Sequence, residues 1–173
     1  MRSATPILAF AMLVSGAVYA QDAPPGVADT AAVEDDGTRW FNAEGVPTFK
    51  IAEDGTVDWP TFSGYRRYHA ECHVCHGPDG EGSTYAPPLK DSAMRMDYYD
   101  FIGVVASGRQ VVNAADNQVM PAFGTNPNVM CYLDDIYTYL RARGSDAVPR
   151  GRPAKRADKP DAYAEAEKAC MEQ

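Results

Sequence analysis

Apolar side chains recur at steps of three and four residues in three stretches of this chain, and that spacing is typical of amphipathic helices. The first stretch places one face along Phe62, Tyr65, His69 and Cys72. A hydroxyl oxygen of Thr61 or Ser63 would accept a backbone N–H bond at its start, so we expect one of them to be the N-cap. This helix leads directly into a segment rich in cysteine and histidine.

The second stretch lies between a typical helix start and a typical helix stop. Asp97 precedes it as a cap, and Gly108 follows it as a stop. One face carries Phe101, Val104 and Val105. This pattern predicts a helix with one buried side.

The third stretch has the clearest helical pattern. Asn126 stands in the cap position, Pro127 occupies the first helical position, and Gly144 follows the end. The apolar stripe runs along Val129, Leu133, Ile136 and Leu140. We therefore predict one continuous helix of about four to five turns.

The rest of the chain changes the expected fold class little. Asp161 to Cys170 alternates alanines with charged residues, which predicts a short C-terminal helix. No runs of β-branched residues alternate between hairpin turns, and no segment repeats at a fixed period. We predict an all-α fold in a single domain.

The first twenty residues are typical of an export signal. Arg2 supplies a positive start, Ile7 to Val14 an apolar stretch, and Ala20 a small residue at the expected cut site. We expect cleavage after Ala20, with an uncleaved N-terminal anchor as the alternative. The longest apolar run, Pro6 to Tyr19, is too short to span a bilayer, so we predict no membrane span. The mature chain would then be periplasmic, in an oxidising compartment.

Charge and composition divide the mature chain into three parts. Residues 21–60 are acidic and read as an irregular N-terminal extension, residues 61–144 hold the predicted core helices, and residues 145–173 form a basic, proline-rich strap followed by the short helix. The full chain of 173 residues carries 16 Lys and Arg against 24 Asp and Glu, a net charge of −8. Nucleic acid is therefore an improbable partner, because its phosphates would be repelled.

The candidate chemistry lies in the pentapeptide that begins at Cys72. Cys72, Cys75 and His76 form a C-x-x-C-H motif, whose two thiols can bond to the vinyl groups of one haem while the histidine binds its iron. A disulfide-exchange site would need a βαβ context, and a zinc site would need further ligands nearby. Neither is visible in the sequence, so we predict one covalently attached haem c.

The sixth ligand of the iron decides between an electron carrier and a catalyst. Met120 lies in a predicted loop, where Pro121 stiffens the backbone and the sulfur is free to reach the iron. We prefer it to four other side chains with ordinary structural explanations: Met94 and Met96 as core filler, His69 as the partner of a backbone carbonyl, and His73 as a ring pointing away.

Two further residues have predicted roles at the haem. The carbonyl of Pro87 could accept a bond from the second ring nitrogen of His76 and so orient the imidazole. The alternative is that Pro87 and Pro88 only form a rigid turn. Arg109 could neutralise a haem propionate, and a solvated surface arginine is the alternative.

Two cysteines remain once the haem has taken its pair. Cys131 and Cys170 make an even number in an oxidising compartment, so we predict a disulfide that fastens the C-terminal segment to the third helix. Free thiols are the alternative.

Several longer segments resemble the class I c-type cytochromes, and more narrowly the acidic cytochrome cL-like proteins. The segments are Tyr68 to Gly77, Ala86 to Leu89, Gly103 to Arg109, Met120 to Phe123, Asn126 to Arg143 and Arg150 to Pro153. The resemblance covers about Thr61 to the C-terminus. It implies thioethers at Cys72 and Cys75 and iron ligation by His76 and Met120. Some members also bind calcium near the haem, but no compact acidic loop is seen here, so calcium is not predicted.

The resemblance also implies a function. Cytochrome cL-like proteins accept electrons from periplasmic PQQ-dependent methanol or alcohol dehydrogenases, especially lanthanide-dependent ones, and pass them to a downstream cytochrome c or oxidase. We expect an electron-transfer protein rather than an enzyme. The alternatives are a haem enzyme or sensor with an open sixth position, and a structural haem subunit of a larger redox complex.

Overall fold

The structure, a computed structural model, describes residues 29–112 and 117–173, so the predicted export signal lies outside the described residues. This part of the chain is mostly helical. Its elements in chain order are β1 (Glu34–Asp35), β2 (Trp40–Phe41), β3 (Pro47–Thr48), α1 (Trp59–Glu71), α2 (His73–His76), α3 (Leu89–Ala93), α4 (Tyr98–Ser107), β4 (Arg109–Val112), β5 (Asn117–Met120), α5 (Pro127–Met130), α6 (Leu133–Gly144) and α7 (Asp161–Met171).

Helix α1 begins earlier than the sequence pattern predicted. Asp58 is the N-cap, and its carboxylate accepts a hydrogen bond of 2.8 Å from the backbone N–H of Thr61. Thr61 and Ser63 are buried within the helix, so the prediction that one of them caps it was wrong. The carboxylate of Asp58 is the acceptor that starts the helix. Pro60 has no backbone N–H, and it fits the first turn because N–H groups there have no acceptor within the helix.

Helices α4 and α7 agree closely with the prediction. Asp97 caps α4 by accepting from the Tyr99 N–H at 2.8 Å, and Gly108 ends it with a φ of 72°. Helix α7 extends one residue beyond the expected end at Cys170. Among residues 29–112 and 117–173, no helix is both long and apolar enough to cross a membrane.

The third predicted helix is interrupted. Asn126 caps α5 as expected, but the helix stops at Met130 and α6 starts at Leu133, with Tyr132 at φ −126° and ψ 13° between them. Two tethers hold this point to α7: Cys131 forms a disulfide with Cys170, with Cα atoms 5.8 Å apart, and the Tyr132 hydroxyl donates to Glu167 at 2.8 Å. The spacing of apolar residues carries no information about such tethers, so it predicted one continuous helix where the structure has two.

Strands are present where the sequence analysis expected none. Strands β4 and β5 form an antiparallel hairpin in which Arg109 lies opposite Met120. The extension expected to be irregular contains a small sheet in the order β1-β2-β3, with two residues in each strand. Strands this short carry too few residues to show an alternating pattern.

The crossing of α1 and α6 forms the centre of the core. Phe62 and Tyr68 of α1 pack with Ile136, Tyr139 and Leu140 of α6, all at most 3% exposed. The backbones approach closely at Gly64, where a Cβ atom would lie 1.9 Å from the carbonyl oxygen of Asp135. This crossing fixes the end of α1, from which the haem motif continues.

A buried carboxylate joins the N-terminal sheet to α6. Asp135 is fully buried, and its two oxygens accept from Arg39 at 3.3 Å and from the Tyr163 hydroxyl. Arg39 also contacts Asp134 at 3.0 Å. Burial raises the pKa of the Asp135 carboxyl to about 6, and the Arg39 guanidinium partly offsets the rise.

Replacing Arg39 with methionine is expected to destabilise the protein more at high pH than at low pH. The raised pKa of Asp135 means that its contribution to stability is lost as pH rises through about 6, and without Arg39 the pKa rises further. We expect a loss of about 2 to 3 kcal/mol at pH 8 and about 1 kcal/mol at pH 5, measured by urea unfolding. The exposed Arg66 of α1 supplies the control, since Arg66→Met should show no such pH dependence. Equal losses for Arg39→Met at both pH values would contradict this account.

Candidate functional site

The C-x-x-C-H motif lies at the junction of α1 and α2. Cys72 is the C-cap residue of α1, and α2 spans His73–His76. The Cys72 and Cys75 thiols are both free, the first half-buried and the second exposed. Burial raises the pKa of the Cys72 thiol to about 12. Disulfide-exchange sites depend on a low thiol pKa, so this environment argues against that alternative.

The imidazole of His76 is buried and held in one orientation. Its Nδ1 lies 2.9 Å from the carbonyl oxygen of Pro87. A carbonyl can only accept, so Nδ1 carries the proton and donates it, and Nε2 keeps a free lone pair. An imidazole held in this way is prepared to bind a metal through Nε2.

The turn after His76 is closed by the buried side chain of Tyr68. The Tyr68 hydroxyl lies 3.2 Å from the carbonyl oxygen of His76 and 2.6 Å from that of Gly77. Gly77 has a φ of 73°, and a Cβ there would lie 2.1 Å from the carbonyl oxygen of Gly82. Only glycine fits this turn, which returns the chain toward Pro87.

Met120 ends strand β5 and is partly buried against the core. The segment that follows it is fastened to α4, since Phe123 and Gly124 donate backbone bonds of 3.0 Å to Val105 and Ala106. Gly108 packs directly under it, where a Cβ would lie 2.6 Å from the Met120 carbonyl oxygen. The methionine expected in a free loop therefore lies at the base of a hairpin with a firmly placed backbone.

Arg109 is exposed and lies directly across the hairpin from Met120. Residues opposite each other in an antiparallel pair project to the same face of the sheet. Arg109 makes no ion pair within the described residues. The structure thus brings together two pairs of predicted site residues, His76 with Pro87 and Met120 with Arg109.

The two histidines set aside as ligands have other surroundings. The Nδ1 of His69 lies 2.8 Å from the Tyr65 carbonyl oxygen, as expected, and its Nε2 lies 3.4 Å from the backbone nitrogen of Asp79. The ring of His73 stacks on that of His69 with centroids 5.8 Å apart.

The donor set of this site fits an iron porphyrin attached through thioethers. It offers two thiols at positions i and i+3, an imidazole whose Nε2 is not used by the hydrogen bond to Pro87, and a thioether sulfur. Imidazole and thioether are ligands that haem iron takes in cytochromes.

Sequence reasoning missed a second set of residues beside the motif. Asp79 and its partners His69, Tyr139 and Gly151 come from four separate parts of the chain. The position of Asp79, three residues after His76, was the only signal in the sequence that could have drawn attention to it.

Comparison with known proteins identifies several similar chains. The family described as "Cytochrome C oxidase, cbb3-type, subunit III" matches residues 61–140. Cytochrome c-553I of Paracoccus denitrificans is 68% identical over 133 residues, which are 77% of this chain. The match spans only 59% of the length of that relative.

Two further matches cover most of the similar protein. Cytochrome c-555 of Methylococcus capsulatus is 36% identical over 100 residues, 57% of this chain and 75% of that relative. The crystal structure of the c-type cytochrome XoxG from Methylobacterium extorquens AM1 has a TM-score of 0.75 at 56% identity. That similarity covers 88% of this chain and 94% of the XoxG chain.

Proposed function

Because this chain belongs to the c-type cytochromes, we propose that it is a periplasmic monohaem electron carrier that accepts electrons from a PQQ-dependent methanol or alcohol dehydrogenase. The observation that carries the proposal is the orientation of His76. Its Nδ1 donates to Pro87, which leaves Nε2 outside that bond, and the two thiols of the same motif are free.

The cysteine count supports a single haem. The chain has four cysteines, and covalent attachment of one haem uses two of them. Cys131 and Cys170 are joined to each other, so Cys72 and Cys75 are the one free pair within the described residues.

Each site residue then has a defined role. Cys72 and Cys75 would hold the haem through thioethers, and His76 and Met120 would be the protein ligands of its iron. When bound, the haem supplies a metal that exchanges one electron. Pro87 fixes the imidazole ring and increases its basicity. Arg109, on the face of the hairpin that carries Met120, would supply a positive charge for a haem propionate.

Similar proteins support the choice of electron donor. The chain resembles the cytochrome cL-like proteins from Thr61 onward. Its matches to XoxG and to cytochrome c-555 cover 94% and 75% of those two proteins. We infer that the donor is a PQQ-dependent methanol or alcohol dehydrogenase, as for the cytochrome cL-like proteins, and that the acceptor is a downstream cytochrome c or oxidase. A buried histidine and a partly buried methionine as iron ligands suit a protein that only carries electrons, because they leave no open position for a substrate.

Mixing the purified ferric protein with a PQQ-dependent dehydrogenase and its alcohol tests this function. We expect the visible haem bands to change to the ferrous form within seconds when the cognate methanol dehydrogenase is used. The control mixture contains the same components with a dehydrogenase that uses a nicotinamide cofactor. Reduction that is equally slow with both dehydrogenases would overturn the proposed donor.

A further inference from the structure

Asp79 is a buried carboxylate at which four parts of the chain meet. It is 5% exposed, although aspartate is rarely buried to this extent without partners. Its Oδ1 accepts from the Tyr139 hydroxyl at 3.2 Å and from the Gly151 N–H at 3.1 Å. The His69 ring approaches the same oxygen at 3.4 Å. Helix α1, helix α6 and the strap are therefore joined at one side chain.

The backbone of Asp79 is equally constrained. Its φ is 58°, in the left-handed region that aspartate and asparagine tolerate better than most residues. Its carbonyl oxygen accepts from Arg143 at 3.4 Å, and the same guanidinium reaches Glu81 at 2.7 Å. These bonds fix the loop that follows the haem ligand His76.

The carboxylate is held in its charged form. Burial alone would raise the pKa of Asp79, but the Gly151 N–H, the Tyr139 hydroxyl and the nearby cations outweigh burial, so the pKa is lowered. One cation of the strap, Arg150, contacts it at 3.5 Å, and that side chain is 65% exposed. Water screens the exposed Arg150 guanidinium, so this cation offsets the charge of the Asp79 carboxylate only in part.

We propose that Asp79 is a positioning residue that also sets the haem potential: it fastens the strap to the loop after His76 and places there a buried negative charge that favours the ferric state. The inference rests on the proposed haem function. Ferric iron carries one more positive charge than ferrous iron, so a fixed anion nearby stabilises the ferric form more, and low dielectric around a buried anion strengthens the effect. A residue that only stabilised the fold would stabilise both forms equally.

Asp79→Asn is the direct test, because asparagine keeps the shape and tolerates the left-handed backbone while removing the charge. We expect its midpoint potential to rise, with the ferrous-to-ferric ratio at a fixed ambient potential increasing roughly three- to tenfold. Chemical unfolding should show a larger loss of stability for the ferric than for the ferrous protein.

Asp54→Asn is the matched control. Asp54 also pairs with a cation of the strap, Lys155 at 3.1 Å, but that pair is exposed. Removing the charge of Asp54 should leave the midpoint potential of the haem unchanged. Arg150→Gln is the second variant and should lower the potential, because it removes the exposed cation beside Asp79.

The outcomes separate this proposal from the proposed function. If wild-type protein shows no covalent haem spectrum, the function fails. If the spectrum is present but Asp79→Asn shifts the potential no more than Asp54→Asn does, or stabilities of both oxidation states fall equally, the role of Asp79 is overturned. Should Asp79→Asn fail to fold, an unchanged or raised midpoint potential in Arg150→Gln would overturn the role of Asp79 as well.

Discussion

Met120→Ala is expected to abolish the sulfur-to-iron charge-transfer absorption of the ferric protein and to lower its midpoint potential. Thioether ligation favours ferrous iron, so its loss moves the equilibrium toward ferric iron. We expect a decrease on the order of 0.1 to 0.2 V, a fraction of the roughly 0.8 V over which axial ligands set haem potentials. The vacated position should also bind carbon monoxide faster. Optical spectroscopy, redox titration and flash photolysis measure these three effects.

Met96→Ala is the control for this experiment. Met96 packs partly buried against the core and was predicted to be core filler. Its truncation should cost some stability through lost packing, while the absorption band and the potential stay as in the wild type. A Met120→Ala protein that kept its band and potential would mean that another side chain is the sixth ligand.

The helical part of the fold could be predicted from local patterns because the apolar spacing and the capping residues of a helix lie within a few residues of each other in the sequence. The fold comparison with the XoxG structure confirms the mostly helical class I cytochrome c fold. The structure itself places α4 between Asp97 and Gly108, as the sequence pattern predicted. The errors fall where distant contacts act on the chain. The break between α5 and α6 occurs where Cys131 is bonded to Cys170, 39 residues away in the chain.

The candidate site divides in the same way. The motif residues Cys72, Cys75 and His76 are contiguous, so their relation is visible in the sequence. The hairpin that sets Arg109 opposite Met120 could not be predicted, since its two short strands show no clear alternation. Asp79 contacts Tyr139 and Gly151 only because α6 and the strap fold back onto the loop. Such clusters depend on the tertiary fold, which local patterns do not encode.

Gly64→Ala is expected to destabilise the protein by about 4 kcal/mol or more, which would leave little of the stability that a domain of this size has. The new Cβ would lie 1.9 Å from the Asp135 carbonyl oxygen and 2.8 Å from the Cβ of Tyr139. The first of these atoms belongs to the backbone of α6, so the clash can be relieved only by separating α1 from α6. Separation would open the core that those two helices form, because packed interiors tolerate added volume poorly.

Gly103→Ala is the matched control, since Gly103 also lies inside a helix but a Cβ there would meet no atom within 4 Å. Alanine in an open helical position is expected to stabilise by about 0.5 to 1 kcal/mol, because it restricts the unfolded chain. Urea unfolding of both variants in the same oxidation state measures the difference. The two substitutions add the same methyl group, so opposite signs would locate the effect in the α1–α6 contact. A loss of less than 1 kcal/mol for Gly64→Ala would show that the two helices can separate at little cost.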